Sequence, residues 1–185
     1  MTANDSQYSV RLAKEADRTY LSRLLFLANT LGDESARIED AHIPDVELSV
    51  EQWAPLVDGG VIAVSDHLVP VGGSWLRYYS TEAKGDAYTG NPDADPFDES
   101  QWATEFDPEE IPELFLAVES RYRGLGAGRV LLRNVCNLAE AQEAPAISLW
   151  VDPNNPKARA LYESEGFTDV RVPGRPDAPV MVKRF

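Results

Sequence analysis

The chain has 185 residues, of which 43% are hydrophobic, and a formal net charge of −14. This length is usual for one domain with a sizeable core, so we expect a single domain over residues 1–185. The acidic balance disfavours binding to nucleic acid or to an anionic membrane surface. It favours a cationic small molecule or peptide as a partner.

The sequence has no feature of an exported or membrane-inserted protein. Cys136 is the single cysteine, so an intramolecular disulfide is excluded. The polar residues 1–7 lack the apolar stretch of a signal peptide. No apolar run approaches the roughly 20 residues that span a bilayer. We therefore expect a soluble cytoplasmic protein, and the sequence leaves open whether it forms a homodimer.

The N-terminal part of the chain is predicted to contain a strand and two helices. A brief alternation predicts a strand at 8–11, and leucines at helical spacing predict a helix over 15–31 that ends at Gly32. The acidic stretch that follows has no clear period and is assigned no element. Further along, Ser49 resembles a helix cap and predicts a short helix that reaches Val57.

A hairpin and a long acidic loop are predicted in the middle of the chain. Two β-rich runs, 61–65 and 69–79, are joined by a short polar turn and predict an antiparallel hairpin. From about 80 to 111, glycines and prolines break any period and acidic residues accumulate. Loops of this length in compact domains are commonly functional or disordered. The aromatic residues within this loop favour an ordered flap.

A strand, a glycine turn and a helix start are predicted in direct succession after this loop. The apolar run 113–118 leads into a segment rich in arginine and glycine and then into a helical pattern. Pro112 can begin a strand but cannot lie inside a paired one, so the strand is expected to begin at Glu113. The helix is expected over about 126–142, where apolar residues recur at three- and four-residue steps.

The turn between this strand and this helix has the properties of an anion site. Glycines at 124, 126 and 128 leave backbone N–H groups uncovered at the N-terminus of a helix, where the helix dipole is positive. Arg123 and Arg129 add positive charge on either side. A turn of this kind suits a phosphate or pyrophosphate.

Two well-known phosphate motifs fit these residues poorly. The lysine-bearing P-loop needs Gly-Lys-Ser/Thr, whereas this chain has Gly128-Arg129-Val130. The dinucleotide fingerprint needs a third glycine where Arg129 stands, although Asp152 ends a later strand as its ribose-binding acid would. A nicotinamide domain also needs several strand–helix repeats, and only one follows the glycine turn. A nicotinamide oxidoreductase is therefore disfavoured.

The C-terminal part predicts one more strand and helix before two closing strands. A strand is expected at 146–151 and a helix over 156–165, with proline in its first turn and Gly166 after its end. The closing strands are expected at 167–172 and 180–183. Strands alternate with helices only in the second half, after a hairpin-rich first half. This order predicts an α/β (α+β) fold with a mixed central sheet flanked by helices on both faces.

Two motifs in the second half of the chain carry a family resemblance. The first is Arg/Gln-x-x-Gly-x-Gly/Ala, occupied by Arg123, Gly126 and Gly128. The second is the stretch 155–167, Asn-Pro-Lys-Ala-Arg-Ala-Leu-Tyr-Glu-Ser-Glu-Gly-Phe. Together they resemble the GNAT superfamily of acetyl-CoA-dependent N-acyltransferases. The resemblance is specific over 113–167 and generic elsewhere, and it implies the GNAT-like acyl-CoA N-acyltransferase fold.

The resemblance also implies where acetyl-CoA would bind as a co-substrate. Its pyrophosphate would lie on the turn amides, and its pantetheine arm would share main-chain hydrogen bonds with Ala117 and Val118 of the preceding strand. Asn155 and Tyr162 are two helical turns apart, so they project from one helix face, which in the family meets this arm. The implied cofactor-binding residues are Leu116, Ala117, Val118, Arg123, Gly124, Leu125, Gly126, Ala127, Gly128, Arg129, Asn155 and Tyr162. No metal is implied.

Two residues are candidates for proton transfer. Tyr162 stands where the family often has a general acid that protonates the departing thiolate of coenzyme A. A phenol with a pKa of about 10 is a plausible donor to a thiol with a pKa of about 8.5. The alternative is a core aromatic residue. Glu113, at the start of the central strand, is the first candidate for the base that deprotonates the acceptor amine, and a solvated strand-end acid is an equally good interpretation.

The resemblance therefore implies an N-acetyltransferase that passes the acetyl group from acetyl-CoA directly to a primary amine. No metal and no covalent enzyme intermediate would be involved. The acceptor is not identified by the sequence, but the charge excess favours a cationic small molecule or peptide. The acidic segments 33–51 and 93–110 would then line or cover its entrance. A catalytically weak coenzyme A-binding sensor or interaction module is the alternative.

Overall fold

The computed structural model describes residues 7–41, 44–80, 109–170 and 179–185. These ranges contain seven strands and five α-helices. The strands are β1 Tyr8–Leu12, β2 Gly60–Ser65, β3 Pro70–Arg77, β4 Glu113–Val118, β5 Ala146–Trp150, β6 Thr168–Asp169 and β7 Val180–Arg184. The helices are α1 Arg18–Asn29, α2 Ile38–Ala41, α3 Pro44–Glu51, α4 Ala127–Ala141 and α5 Pro156–Ser164.

The strands form one mixed sheet in the order β1-β2-β3-β4-β5-β7-β6. β1, β2 and β3 pair in antiparallel fashion, and β5, β7 and β6 do the same. β4 and β5 run parallel and pair at Glu113 and Ser148. The predicted mixed sheet and the predicted β2–β3 hairpin are thereby confirmed.

The chain folds as two compact units, each made of two stretches. The first comprises Met1–Leu76 and Phe115–Leu138, and the second comprises Arg77–Leu114 and Ala139–Phe185. The first unit contains β1, β2 and the turn that follows β4, while the second contains β5, β6, β7 and α5. The single domain over 1–185 stays a prediction.

Helices cover both faces of the sheet in the first unit. Gly72 and Gly73 are neighbours in β3, so their Cα hydrogens face opposite sides of the sheet. A Cβ built on Gly73 would lie 2.8 Å from Cδ1 of Leu24 in α1. One built on Gly72 would lie 3.1 Å from Cδ1 of Leu131 in α4. α1 therefore packs on one face and α4 on the other, as predicted.

Two buried tryptophans attach α3 and the loop after it to this unit. The indole N–H of Trp75 in β3 donates to the carbonyl of Ser49 at 3.1 Å, and that of Trp53 donates to the carbonyl of Gly59 at 3.0 Å. The Trp75 ring also stacks on Phe115 of β4 at 5.5 Å between centroids. Because a buried indole N–H is costly without an acceptor, these bonds fix where the α3 segment lies.

α3 differs from the helix that the sequence predicts. The sequence predicts a helix that is capped by Ser49 and reaches Val57, whereas α3 begins at Pro44, contains Ser49 and ends at Glu51. The predicted cap at Ser49 is therefore wrong. Pro55 explains the earlier end, because it has no N–H to donate and disfavours a helical conformation in the residue before it. The chain turns instead, and the Asp58 carboxylate accepts the N–H of Ala54 at 2.6 Å. α2 lies in the acidic stretch that the sequence assigns no element.

In the second unit, Ile111, Ala146 and Val182 are buried against one another beside β5 and β7. Of the predicted strand at 167–172, β6 occupies Thr168–Asp169, and residues 171–172 lie outside the described residues. The predicted acidic loop falls largely on 81–108, outside the described residues. Among the helices of the described ranges, none is long and apolar enough to cross a membrane.

Candidate functional site

The turn between β4 and α4 has a backbone conformation that depends on glycine. β4 ends at Val118, and α4 begins at Ala127. Between them, Gly124 has a φ of +76° and Gly126 a φ of +92°. Residues with a side chain rarely adopt this left-handed region, whereas glycine adopts it without steric cost. The glycine spacing seen in the sequence therefore sets the path of the turn.

Several backbone N–H groups of this turn have no partner. Within the described part of the chain, those of Gly124, Gly126, Ala127 and Gly128 donate no hydrogen bond. A Cβ built on Gly124 would meet nothing within 4 Å, so the turn is open to solvent there. Unpaired N–H groups at the positive end of a helix of 15 residues favour a bound anion.

The Arg123 side chain is held by carbonyl groups. Its Nη1 donates to the carbonyl of Leu31 at 2.6 Å, and its Nε donates to the carbonyl of Val118 at 3.3 Å. Leu31 follows the C-terminal end of α1, where the helix dipole is negative. The positive charge of Arg123 therefore lies close to the turn, but part of its hydrogen-bonding capacity is already used. Arg123 and Arg129 are both exposed.

One edge of β4 is turned away from β3. The carbonyl of Phe115 accepts a hydrogen bond from Ser74 of β3 at 2.7 Å, and the N–H of Glu119 donates to a β3 carbonyl at 2.9 Å. The carbonyl of Ala117 also lies against β3. Since backbone groups of successive strand residues point to opposite edges, those of Leu116 and Val118 point away from β3.

An ion pair with a buried carboxylate, which the sequence did not predict, adjoins the turn. Glu119, the residue after β4, is 8% exposed. Its two carboxylate oxygens accept hydrogen bonds from Arg23 of α1 at 2.9 and 2.8 Å. Burial and then the negative charge of Glu119 raise the pKa of Tyr20, one helical turn before Arg23. The only signal in the sequence is an acid at the end of an apolar strand, and nothing local points to its partner.

Asn155 caps helix α5. Its Oδ1 accepts the N–H of Ala158 at 3.1 Å, which satisfies one of the unpaired donors of the first helical turn. Pro156 follows at the first helical position, where a missing N–H costs nothing. The Asn155 side chain therefore has a local role in holding the helix.

Tyr162 lies on α5 and is 6% exposed. Its ring packs against Phe167 at 5.7 Å between centroids. Burial raises the pKa of Tyr162 to about 12, because the charged phenolate would lose its hydration. The phenol is therefore protonated at neutral pH.

Glu113 begins β4 and is 7% exposed. The interpretation of Glu113 as a solvated strand-end acid is therefore wrong. Glu113, Asn155 and Tyr162 belong to the second unit, whereas the predicted cofactor-binding residues from Leu116 to Arg129 belong to the first.

The first unit also contains a cleft between α1, α2 and α3, with a volume of about 590 Å³. Its lining residues are Ser22, Arg23, Leu25, Phe26, Asn29, Ile38, Ala41, Glu47, Val50 and Glu51. Arg23 is paired with Glu119, and the amide of Asn29 donates to Ala41 at 3.1 Å. The positive charge in the wall is thus already neutralised, whereas Glu51 is exposed. The cleft combines an apolar lining with a net negative rim.

The described ranges contain no cluster of side chains suited to a metal ion. No three His, Cys, Asp or Glu side chains there are grouped so that they could hold a metal ion. Cys136 lies in α4 and is 3% exposed, so it belongs to the core.

Comparisons with known proteins agree on one family. Residues 48–167 match the model of the acetyltransferase (GNAT) family. The mycothiol acetyltransferase of Beutenbergia cavernae is 39% identical over 57 residues, which make up 31% of this chain and 19% of that protein. The mycothiol acetyltransferase of Thermomonospora curvata is 39% identical over 70 residues, or 37% of this chain and 24% of that protein. The chain thus spans about a quarter or less of these relatives.

A solved structure has the same fold over nearly the full chain. The acetyltransferase yncA of Salmonella typhimurium, solved with its cofactor acetyl-CoA, superposes with a TM-score of 0.62 at 18% identity. The match covers 97% of this chain and 94% of that one. The fold expected from the sequence is thereby confirmed.

Proposed function

The chain belongs to the acetyltransferase (GNAT) family, and from this premise we propose that it transfers the acetyl group of acetyl-CoA directly to a primary amine. The observation that carries the proposal is the group of unpaired N–H donors between Gly124 and Gly128 at the start of α4. This group can bind the pyrophosphate of a nucleotide-like cofactor. No other described segment combines a glycine turn, an open surface and a long helix start.

The proposed binding mode uses main-chain groups of the first unit. The pyrophosphate is held by the amides of Gly124, Gly126, Ala127 and Gly128, with Arg129 as an exposed counter-charge. The pantetheine arm bonds to Leu116 and Val118, whose backbone groups point away from β3. When bound, acetyl-CoA supplies an activated acyl group as a thioester. The likeness in fold to a structure solved with acetyl-CoA supports this binding mode.

Two residues of the second unit are proposed to move protons. The reaction forms an N–C bond and breaks a C–S bond, so the amine loses a proton and the departing sulfur gains one. We assign the donor to Tyr162, which keeps its proton at neutral pH. The raised pKa also makes the phenol a weak acid, so the transfer must coincide with breaking of the C–S bond. Glu113, a buried carboxylate, is the proposed base.

The proposed acceptor is a cationic amine with an apolar part. The net charge of −14 attracts cations and repels carboxylates. The cleft between α1, α2 and α3 offers apolar surface from Phe26 and Ile38, and Ile38 is 77% exposed. Glu51 on the rim can pair with a positive group. An acceptor that satisfies both features buries its apolar part on this surface and keeps its charge at the rim.

The test has a binding arm and a turnover arm. Calorimetry should show that the chain binds coenzyme A, and a thermal-shift comparison should show stabilisation by coenzyme A and none by NAD. Release of free thiol is then followed with a panel of acceptors in which 4-(aminomethyl)benzylamine is matched to 4-(aminomethyl)benzoate, which has the same ring and the same reacting amine but a negative second group. Turnover of the diamine alone supports the proposal. Binding without turnover of any amine would favour the sensor alternative, and stabilisation by NAD alone would overturn both.

A further inference from the structure

The C-terminal end of α1 leaves two carbonyl groups for partners elsewhere in the first unit. After the helix, Leu31 and Gly32 take positive φ values of 52° and 88°. The N–H of Gly32 bonds back to the carbonyl of Leu27 at 2.8 Å, and that of Leu31 to the carbonyl of Ala28 at 3.2 Å. This pattern ends a helix with a left-handed residue, and it satisfies earlier carbonyls. The carbonyls of Leu31 and Gly32 point outward.

The segment after β4 bonds to this end of α1. Arg123 donates to the carbonyl of Leu31 at 2.6 Å, and the hydroxyl of Ser120 donates to the carbonyl of Gly32 at 3.3 Å. A few residues upstream, Glu119 receives two hydrogen bonds from Arg23 of α1 at 2.9 and 2.8 Å. Three successive contacts therefore attach α1 to the chain that leads into the glycine turn.

The Arg123 guanidinium lies directly over Gly32. A Cβ built on Gly32 would overlap Cζ and both terminal nitrogens of Arg123. Glycine is therefore needed at this position for two reasons, the positive φ and the space that the guanidinium occupies. Any side chain at residue 32 must displace Arg123.

We infer that the C-terminal end of α1 positions the glycine turn for the pyrophosphate, with Arg23, Gly32 and Arg123 as positioning residues. The amides of Gly124, Gly126, Ala127 and Gly128 make no hydrogen bond within the described chain, so their direction is set by the flanking contacts. On one side the turn continues into α4. On the other side the contacts to α1 hold the turn in place. They thereby preorganise its N–H donors for the pyrophosphate. The inference rests on the proposed coenzyme A binding.

The test replaces Gly32 with alanine and measures affinity for two ligands. Displacing the Arg123 guanidinium should weaken binding of coenzyme A about tenfold, the effect of losing roughly one well-directed hydrogen bond. Pantetheine lacks the pyrophosphate, so its binding, followed by NMR titration, should change less than about twofold. A general loss of structure would weaken both ligands alike.

A matched control separates backbone strain from the displaced arginine. Gly166 has a φ of +94°, close to that of Gly32, but a Cβ there would first meet Lys183 at 4.0 Å. Gly166→Ala should therefore lose a similar amount of stability and keep its affinity for coenzyme A. A fall in affinity equal to that of Gly32→Ala would overturn the inference, because strain alone would then explain both.

A double-mutant cycle with Arg123→Ala shows whether Gly32 acts through Arg123. Once the guanidinium is absent, Gly32→Ala should cause no further loss of coenzyme A affinity, whereas independent effects would add. Higher affinity in Gly32→Ala alone would also overturn the inference, because a released Arg123 would then be binding the phosphate directly. If the wild-type chain fails to bind coenzyme A, the proposed function falls. If it binds and the variants bind equally, only this inference falls.

Discussion

Helix α5 and the glycine turn, the two regions that carry the family motifs, are held in place by contacts of different range. The contacts of α5 are local: the Asn155 cap reaches Ala158, Arg159 pairs with Glu163 at 3.0 Å, and Tyr162 packs on Phe167. The turn is held by side chains that are distant in sequence. Arg123 bonds to a residue 92 positions earlier, and Arg23 bonds to one 96 positions later.

This difference separates the local structure that a motif specifies by itself from the structure that depends on contacts with other segments. The α5 motif contains its own cap, its first-turn proline and the aromatic pair, so it carries most of the information for its local structure. The glycine motif encodes only the freedom to adopt positive φ values. The contacts that restrict this freedom come from α1, which belongs to neither motif.

The largest effect is expected at Gly126, where valine would have to adopt a φ of +92°. A β-branched residue is strained in that region, so the turn should rearrange and its amides should lose their common direction. Coenzyme A affinity should fall by about 10² or more, which is about 2.7 kcal/mol of binding free energy. Calorimetry measures the loss, and circular dichroism shows whether the chain stays folded.

Gly166→Val is the matched control for this substitution, because it places the same strain at the end of α5. It should lower stability and leave coenzyme A affinity nearly unchanged. Unchanged affinity in a folded Gly126→Val variant would remove the turn from the binding site.

Tyr162→Phe tests the α5 side of the comparison. The substitution keeps the ring and its contact with Phe167 and removes only the phenolic oxygen. If the hydroxyl protonates the departing thiolate, kcat should fall by about 10², with little change in affinity for acetyl-CoA. A packing role predicts wild-type kcat, and that result would leave water as the proton donor.

The pKa of Tyr162 gives a test that depends on pH. Burial raises this pKa to about 12 in the folded chain, whereas an exposed tyrosine has a pKa of about 10. The unfolded chain therefore releases this proton first as pH rises, and unfolding becomes more favourable between about pH 10 and pH 12. Urea unfolding at about pH 8 and about pH 11 should show that Tyr162→Phe loses less stability than wild type over this interval. Equal losses would contradict the raised pKa.

The same contrast between local and distant contacts explains which parts of the structure could be predicted from the sequence. β4 lies where the apolar run and Pro112 predict it, and α4 and α5 lie within a residue of their predicted ends. These elements depend on periodicity, proline and glycine, which act locally. The Arg23–Glu119 pair could not be predicted, because either residue alone is indistinguishable from a solvated charge. Its existence follows only from the pairing of β4 with β3 and the packing of α1 on that sheet.

The smallest expected effect separates the two roles of Asn155, and it uses a pair of substitutions at one position. Asn155→Ala removes the cap and should lower the free energy of unfolding by about 1 kcal/mol. Asn155→Ser keeps a capping oxygen and should lose only a fraction of that amount. If Asn155 acts only on its own helix, both variants bind coenzyme A within about twofold of wild type, and stability alone distinguishes them. A contact with the pantetheine arm instead predicts that both variants lose coenzyme A affinity. Serine retains the cap but, like alanine, lacks the amide. Asn154→Ala, one position earlier on an exposed side chain, is the control for the substitution itself and should change neither quantity.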